Sequence, residues 1–232
     1  MDIFSLIEII KETADFVVIN KPSGLIVHPN AHRQDSTLVD WLLDKFPNLK
    51  NVGEDKLRPG IVHRLDQDVS GLMVIARTNK MFFYLKKQWQ DKKVKKRYKA
   101  LIFGQPVKDQ DKINLPIGRS STEPGKFKIK HDQSGKPSIT VYQVIEKFKK
   151  YSLVDIDLKT GRTHQIRVHF KGIGHSIVGD KLYKSKGVRS NLDRIFLHAY
   201  YLGFFDFNHK WQEFKIDLPV LLKKRLESLD IL

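Results

Sequence analysis

The sequence predicts an α+β fold, a mixed and mainly antiparallel sheet with flanking helices. Strand-like segments outnumber helical ones, and hairpin-length connections outnumber crossovers. No Pro-, Gly- or Ser-rich linker divides the 232 residues, so 1–232 reads as a single domain. Residues 15–20 (DFVVIN) form an apolar, β-branched run that Lys21-Pro22-Ser23-Gly24 stops with a turn signature. Leu25-Ile26-Val27 resumes it as a second strand, which His28-Pro29-Asn30 ends. Asp35-Ser36-Thr37 offers a cap ahead of Leu38, Trp41, Leu42 and Phe46, whose spacing predicts an amphipathic helix over about 36–46.

Leu72-Met73-Val74-Ile75-Ala76 is apolar without alternation, as in a strand buried on both faces. Residues 79–91 look helical. The basic stretch Lys92 to Lys99 leads into a strand, 98–103, ended by Gly104. On it Tyr98, Ala100 and Ile102 share one side, against Arg97, Lys99, Leu101 and Phe103 on the other. Residues 125–145 read as a hairpin: GKFKIK, an HDQSG turn, then PSITVYQVI. The period-2 strand 151–158 turns through Lys159-Thr160-Gly161-Arg162 into a short helix, with Thr163 as its N-cap and Ile166 and Phe170 on one face. Strands around 195–205 and 211–216 follow, then a terminal helix with Pro219 at its first position.

Charge narrows the partner. Forty-two Lys and Arg against 26 Asp and Glu leave a formal charge of +16, far beyond what solubility requires, and a polyanion is its natural complement. Nucleic acid leads over an anionic membrane surface. With no Cys in the chain, a disulfide framework, a Cys-ligated metal or cluster and a thiol nucleophile are all excluded. No apolar run reaches the roughly 18 residues of a membrane span. Asp2, Glu8 and Glu12 do not suit a transit or signal peptide, so the expected location is the cytoplasm.

One polar block stands out for chemistry. His63-Arg64-Leu65-Asp66 lies between apolar Ile61-Val62 and the buried-looking strand, which places Asp66 close to the core. A carboxylate there needs a partner, because burying an unpaired charge is costly. Ser70-Gly71 behind it suggests a close backbone approach. The block alone fits a structural salt bridge at the start of a strand as well as a functional acid. A second block, RTHQIRVH (162–169), holds two Arg and two His. Its histidines, His164 and His169, are five apart rather than the four of a helical zinc pair, so no metal site is expected. A solvated basic helix face would also account for Arg162 and the histidines, whereas Arg167, between Ile166 and Val168, is placed to reach inward. No phosphate-binding loop or dinucleotide fingerprint occurs.

The block HRLDQDVSGLMVIART (63–78) resembles the signature of the RluA family of pseudouridine synthases, commonly H-R-L-D-x-x-T-S-G followed by an apolar strand. NKPSGLIVHP (20–29), KKRYKALIFG (95–104), GKPSITVY (135–142), LKTGRTHQIRVHF (158–170), GHSIVGDKLY (174–183) and FLHAYYL (196–202) resemble further family blocks, in family order, and the similarity runs from about residue 8 to 216. The resemblance implies the pseudouridine synthase fold with a central catalytic cleft, and an enzyme that isomerises uridine in rRNA or tRNA. It assigns Asp66 as the catalytic aspartate, Tyr98 as the tyrosine against the base, and Arg167 as the ion-pair partner of the aspartate. Arg64 would help displace the nucleotide from its stack, and RNA contacts are expected from His63, Lys95, Lys96, Arg162, His164 and Gln165.

These residue types suit the reaction. An ionised carboxylate can attack the sugar, attack the base or take a proton from the sugar, and a neighbouring guanidinium favours its charged form. A base must later remove the C5 proton. A phenol holds its proton at neutral pH, so Tyr98 could do so only with help from its site, though it can also stack on the base. Extruding a stacked uridine costs a few kcal/mol, which stacking and phosphate contacts offset. Lys92, Lys93, Lys95, Lys96, Arg97 and Lys99 are expected to form a basic track beside Tyr98. No cofactor, membrane or obligate protein partner is implied, and a monomer suffices.

Three departures from the family pattern are visible. Val69 replaces the usual Thr, Asn208-His209 replaces a common His-Pro, and family-like sequence from about residue 8 leaves no room for the small N-terminal RNA-binding domain of many relatives. The rival readings are a basic RNA-binding protein without activity and a metal-dependent nuclease built on Asp66, Asp68 and histidines.

Overall fold

In chain order the elements are β1 (Glu8–Glu12), β2 (Phe16–Lys21), α1 (Leu38–Lys45), β3 (Ser70–Ala76), α2 (Asn79–Gln90), β4 (Lys95–Phe103), β5 (Gln110–Asn114), β6 (Ile117–Arg119), β7 (Phe127–Ile129), β8 (Ile139–Phe148), β9 (Tyr151–Leu158), α3 (Gln165–Gly172), β10 (Leu197–Phe205), β11 (Trp211–Lys215) and α4 (Val220–Glu227). The structure, a computed structural model, describes residues 2–28 and 36–232. It is the mixed α+β architecture that the sequence predicts, with antiparallel pairing of β1 with β2, β2 with β3, β4 with β9, β8 with β9, β5 with β8, β6 with β7 and β10 with β11. Two compact units share these elements, Met1–Lys95 with Tyr201–Ile216 and Lys96–Tyr200 with Asp217–Leu232. The chain passes between units inside β4, inside β10 and in the connection from β11 to α4, at Ile216–Asp217.

In the first unit β3 is buried along its whole length, which is why its sequence is continuously apolar. Against it β2 contributes Val17, Val18 and Ile19, all fully buried, and Phe16 meets Phe204 edge-on at 5.2 Å. Helix α1 opens with a capping box: Asp40 N–H donates to Thr37 Oγ1, and Thr37 N–H donates to the Asp40 carboxylate. Thr78 caps α2, which buries Met81, Phe82 and Leu85. Gln88, on the same face, exchanges both amide hydrogen bonds with the backbone of Phe205, at 2.8 Å each.

In the second unit a two-residue turn, Lys149-Lys150, joins β8 to β9 with Phe148 opposite Tyr151. Leu101, Phe148, Leu153, Val178, Leu192, Phe196 and Leu222 form one core, which α4 enters through Leu222. A smaller cluster, Ile117, Val168 and Tyr183, packs the β6–β7 hairpin against α3.

Several expectations need correcting. Leu25-Ile26-Val27 is not a strand: Ile26 makes a single bridge to Thr37, and the Ile26 and Val27 carbonyls accept from Leu38 and Val39 at the start of α1. The segment serves the helix instead of a sheet. Residues 125–145 do not form one hairpin either. The first arm, β7, pairs with β6, while the second, β8, pairs with β5 and β9. Thr163 is not the cap of α3; that position is His164, in the left-handed conformation (φ 56°). Pro219 is the N-cap of α4 and not its first residue. Strands β1 and β5 escaped the pattern because they are short and mostly exposed, and β6 has only three residues. The Asn208-His209 variation falls in the turn between β10 and β11, where Asp206 accepts from the backbone of Asn208 and Lys210. Asp35, Pro29 and Asn30, invoked above as cap and strand end, lie outside the described residues.

Candidate active site

Two groups of side chains carry the residues singled out by sequence, one in each unit. In the first, Asp66 opens a turn that Val69 N–H closes on the Asp66 carbonyl (3.1 Å). Its flanking side chains, Leu65 and Val69, are buried, and Asp66 itself is half-buried. Gly71, just beyond, sits at φ 130°, a conformation that favours glycine.

The 21–25 segment holds this turn. Gly24 N–H donates to the Gln67 carbonyl (2.8 Å), Gln67 Nε2 returns to the Gly24 carbonyl (3.1 Å), and Ser23 Oγ donates to the Asp68 carbonyl (2.5 Å). Lys21, fully buried, sends its ammonium to the carbonyls of Pro22, Leu25 and Gln67 at 2.9, 2.8 and 3.1 Å. A buried charge is tolerated where hydrogen bonds replace water. Replacing Lys21 by Met strands these acceptors and is expected to lower stability by about 1–3 kcal/mol. The urea unfolding midpoint measures this, and an unchanged midpoint would mean that the carbonyls lose nothing.

Both other residues of the HRLD block have partners in the same unit. Val74 N–H donates to His63 Nε2 (3.1 Å), which places the ring proton on Nδ1, and the ring stacks on Trp89 with centroids 4.6 Å apart. These two contacts build His63 into the scaffold of this unit. Arg64 is exposed, and its Nη1 lies 2.8 Å from His28 Nε2.

In the second unit Tyr98 is 7% exposed, opposite Ile156 on β9, and shares its strand face with buried Ala100 and Ile102 as expected. The basic track does not form as a whole. Strand alternation puts Lys96 on the Tyr98 side, but Arg97 and Lys99 on the other. There Arg97 pairs with Asp155 (Nη2 to Oδ2, 2.6 Å), which also accepts from Tyr200 Oη, and Lys99 lies over the Tyr200 ring at 5.1 Å. Lys95 lies over the Trp211 ring at 5.5 Å in the first unit. Lys96 is half-buried, and burial lowers its pKa, with the Asp157 carboxylate opposing.

Helix α3 turns Arg167 inward. Its side chain is buried, with Nε and Nη2 each 2.8 Å from a carboxylate oxygen of Asp180 in a bidentate pair. Burial pushes the Asp180 carboxyl up, but the Arg167 hydrogen bonds and charge, with the N–H groups of Tyr183 and Leu182, bring it below its ordinary value. Gln165 is also buried. Its amide donates to the Ile139 carbonyl and Thr140 Oγ1 and accepts from Thr160 Oγ1 and Arg162 N–H. These bonds shape the 160–165 loop. Arg162 is exposed, with Nε 3.3 Å from the Pro137 carbonyl, and His164 Nδ1 lies 2.8 Å from Tyr183 Oη.

Sequence reasoning missed Asp180, Tyr183 and Lys21 as contributors. Asp180 and Tyr183 stand in a quoted block, GHSIVGDKLY, but nothing in their spacing ties them to Arg167. Among the described residues no group of three or more His, Asp or Glu side chains could hold a metal ion, and no helix is long and apolar enough to cross a membrane.

A basic chain of this fold, with an acid at the mouth of a buried strand, matches one class of RNA-modifying enzyme. The family model for RNA pseudouridylate synthase matches residues 15–171. An uncharacterised RNA pseudouridine synthase of Chloroflexus aurantiacus is 44% identical over 211 residues, 90% of this chain and 65% of that protein. The ribosomal large subunit pseudouridine synthase D of Zymomonas mobilis is 40% identical over 222 residues, 92% of this chain and 69% of that one. The solved structure of human RNA pseudouridylate synthase domain containing 1 aligns with a TM-score of 0.71 at 27% identity, covering 97% of this chain and 96% of that one. The chain spans about two thirds of the length of these curated bacterial relatives. It belongs to the RNA pseudouridylate synthase family.

Proposed function

We propose that this chain isomerises specific uridines to pseudouridine in structured RNA, large-subunit rRNA first and tRNA second, with Asp66 as its catalytic carboxylate. The observation that carries the reading is the family match over residues 15–171, which spans Asp66, Tyr98 and Arg167. The Zymomonas mobilis relative, named as a ribosomal large subunit enzyme, supports rRNA. In the reaction the bond from C1′ of the ribose to N1 of the base breaks, the base turns, and C1′ bonds to C5. The C5 proton is lost and N1 gains one, so no redox step enters. Asp66 supplies negative charge where the sugar becomes electron-poor. Tyr98 lies against the base, Arg167 takes the part that the family resemblance assigns it in keeping the aspartate ionised, and residues 1–232 act as one catalytic domain. Arg64 helps displace the uridine from its stack. The protein acts as a cytoplasmic monomer.

Incubation with RNA tritiated at uridine C5 tests the reading. Label release to water in step with pseudouridine formation is expected, whereas binding without release would leave only an RNA-binding protein. Chelator-sensitive strand cleavage would favour a nuclease.

Lys96 is proposed as the phosphate contact on the Tyr98 side. Lys96→Gln is expected to flatten the salt dependence of RNA binding by about 0.7 log units per log unit of salt, the contribution of one single-strand phosphate. A filter-binding series from low to high salt measures it, and an unchanged slope would move the contact elsewhere.

A further inference from the structure

The turn after Gly179 is built around one carboxylate. Asp180 Oδ1 accepts from Leu182 N–H (2.8 Å), Tyr183 N–H (2.9 Å) and Arg167 Nη2 (2.8 Å), while Oδ2 accepts from Arg167 Nε (2.8 Å). Gly179 has φ 77°, and a Cβ there would fall 1.9 Å from the Arg194 carbonyl oxygen, so the backbone has no slack at this point. The carboxylate is thus fixed by the main chain before it meets the guanidinium. A guanidinium is planar, so a fork on its Nε–Nη2 edge sets where the Nη1 edge points.

Tyr183, 2% exposed and on the same turn, extends the arrangement. The Arg167 guanidinium lies over its ring at 5.1 Å. Its hydroxyl accepts from Phe127 N–H on β7 (2.8 Å) and is hydrogen-bonded to His164 Nδ1 at 2.8 Å. His164 is the residue from which α3 starts, in a strained left-handed conformation, and α3 carries Arg167. Burial alone does not call for such a network, since well-packed apolar side chains serve stability as well as a buried ion pair.

Resting on the assignment of Arg167 to the reaction, we propose that Asp180 is a positioning residue that fixes the direction of the Arg167 guanidinium, and that Tyr183 ties His164 and the β6–β7 hairpin to the same anchor. The test compares Asp180→Asn, Arg167→Met, their double variant and Tyr183→Phe in single-turnover release of tritium from C5-labelled RNA. RNA affinity is measured in parallel, well below each variant's unfolding temperature. Misaiming a reacting group by about 1 Å costs on the order of 100-fold, so Asp180→Asn should slow release about 100-fold. Affinity should stay within about threefold, and the double variant should be no slower than Arg167→Met alone, because the two residues act as one. Tyr183→Phe keeps the packed ring, and a loss of about tenfold at full affinity is expected from this outer contact. It decides the matter if Asp180→Asn does not fold.

A wild-type release rate in folded Asp180→Asn or in Tyr183→Phe overturns the proposal, as does a double variant whose losses multiply. If the loss is confined to Arg167→Met, the role of Arg167 stands and the positioning falls. If Arg167→Met itself releases label at the wild-type rate, both fall together.

Discussion

Asp66→Asn is expected to abolish label release from C5-tritiated uridine, by about 10⁴-fold or more, while RNA affinity changes little. The magnitude is that of removing a group on which the covalent chemistry depends, where single substitutions commonly cost as much as losing the whole catalytic set. Asn keeps the shape of Asp and its carbonyl oxygen, so the turn closed by Val69 N–H should persist. Affinity should persist as well, because the positive surface that draws RNA owes nothing to an acid. Filter binding and single-turnover release on one preparation separate the effects. Release within tenfold of wild type would remove Asp66 from the reaction.

Arg167→Met should cost about 3–5 kcal/mol of stability, because it leaves the Asp180 carboxylate buried without its guanidinium. The sign of the pH dependence makes the cause recognisable. In the intact pair the Asp180 pKa lies below its ordinary value. Its stabilising contribution is therefore complete above the unfolded carboxylate pKa of about 3.9, and is lost as pH falls through the lower folded value. Without Arg167, burial dominates and raises that pKa, so the folded state binds the extra proton. The stability deficit of Arg167→Met relative to wild type should then shrink as pH is lowered from 7 towards 4. Urea unfolding at several pH values measures it. A deficit below about 1 kcal/mol, or one independent of pH, would contradict the buried-charge account.

Much of this was legible along the chain, because the elements around Asp66 and Tyr98 have strong local patterns. The β3 run, the alternation in β4 and β9, and the cap of α1 are fixed by residues within a few positions of one another, and the structure follows them closely. The misplaced elements depend on partners distant in sequence. Phe127–Ile129 has little pattern of its own, and it pairs with Ile117–Arg119 because Val168 and Tyr183 offer that hairpin an apolar seat. The hydrogen bonds that tie Gln165 to the Ile139 carbonyl and His63 to Val74 N–H were equally hidden, because they join positions well separated along the chain. Lysines 92–99 looked like one track, but a strand divides its neighbours between two faces, which leaves Lys96 beside Tyr98. Asp180 was invisible for the same reason as the hairpin: its link to Arg167 is made in space, thirteen positions along the chain.

The most direct measurement is a transcriptome-wide map of pseudouridine in cells lacking this gene, complemented with either the wild-type chain or Asp66→Asn. At least one pseudouridine in large-subunit rRNA should revert to uridine in the deletion strain, return with the wild-type chain and stay absent with the variant. A full set of pseudouridines in the deletion strain, or their restoration by Asp66→Asn, would contradict the account.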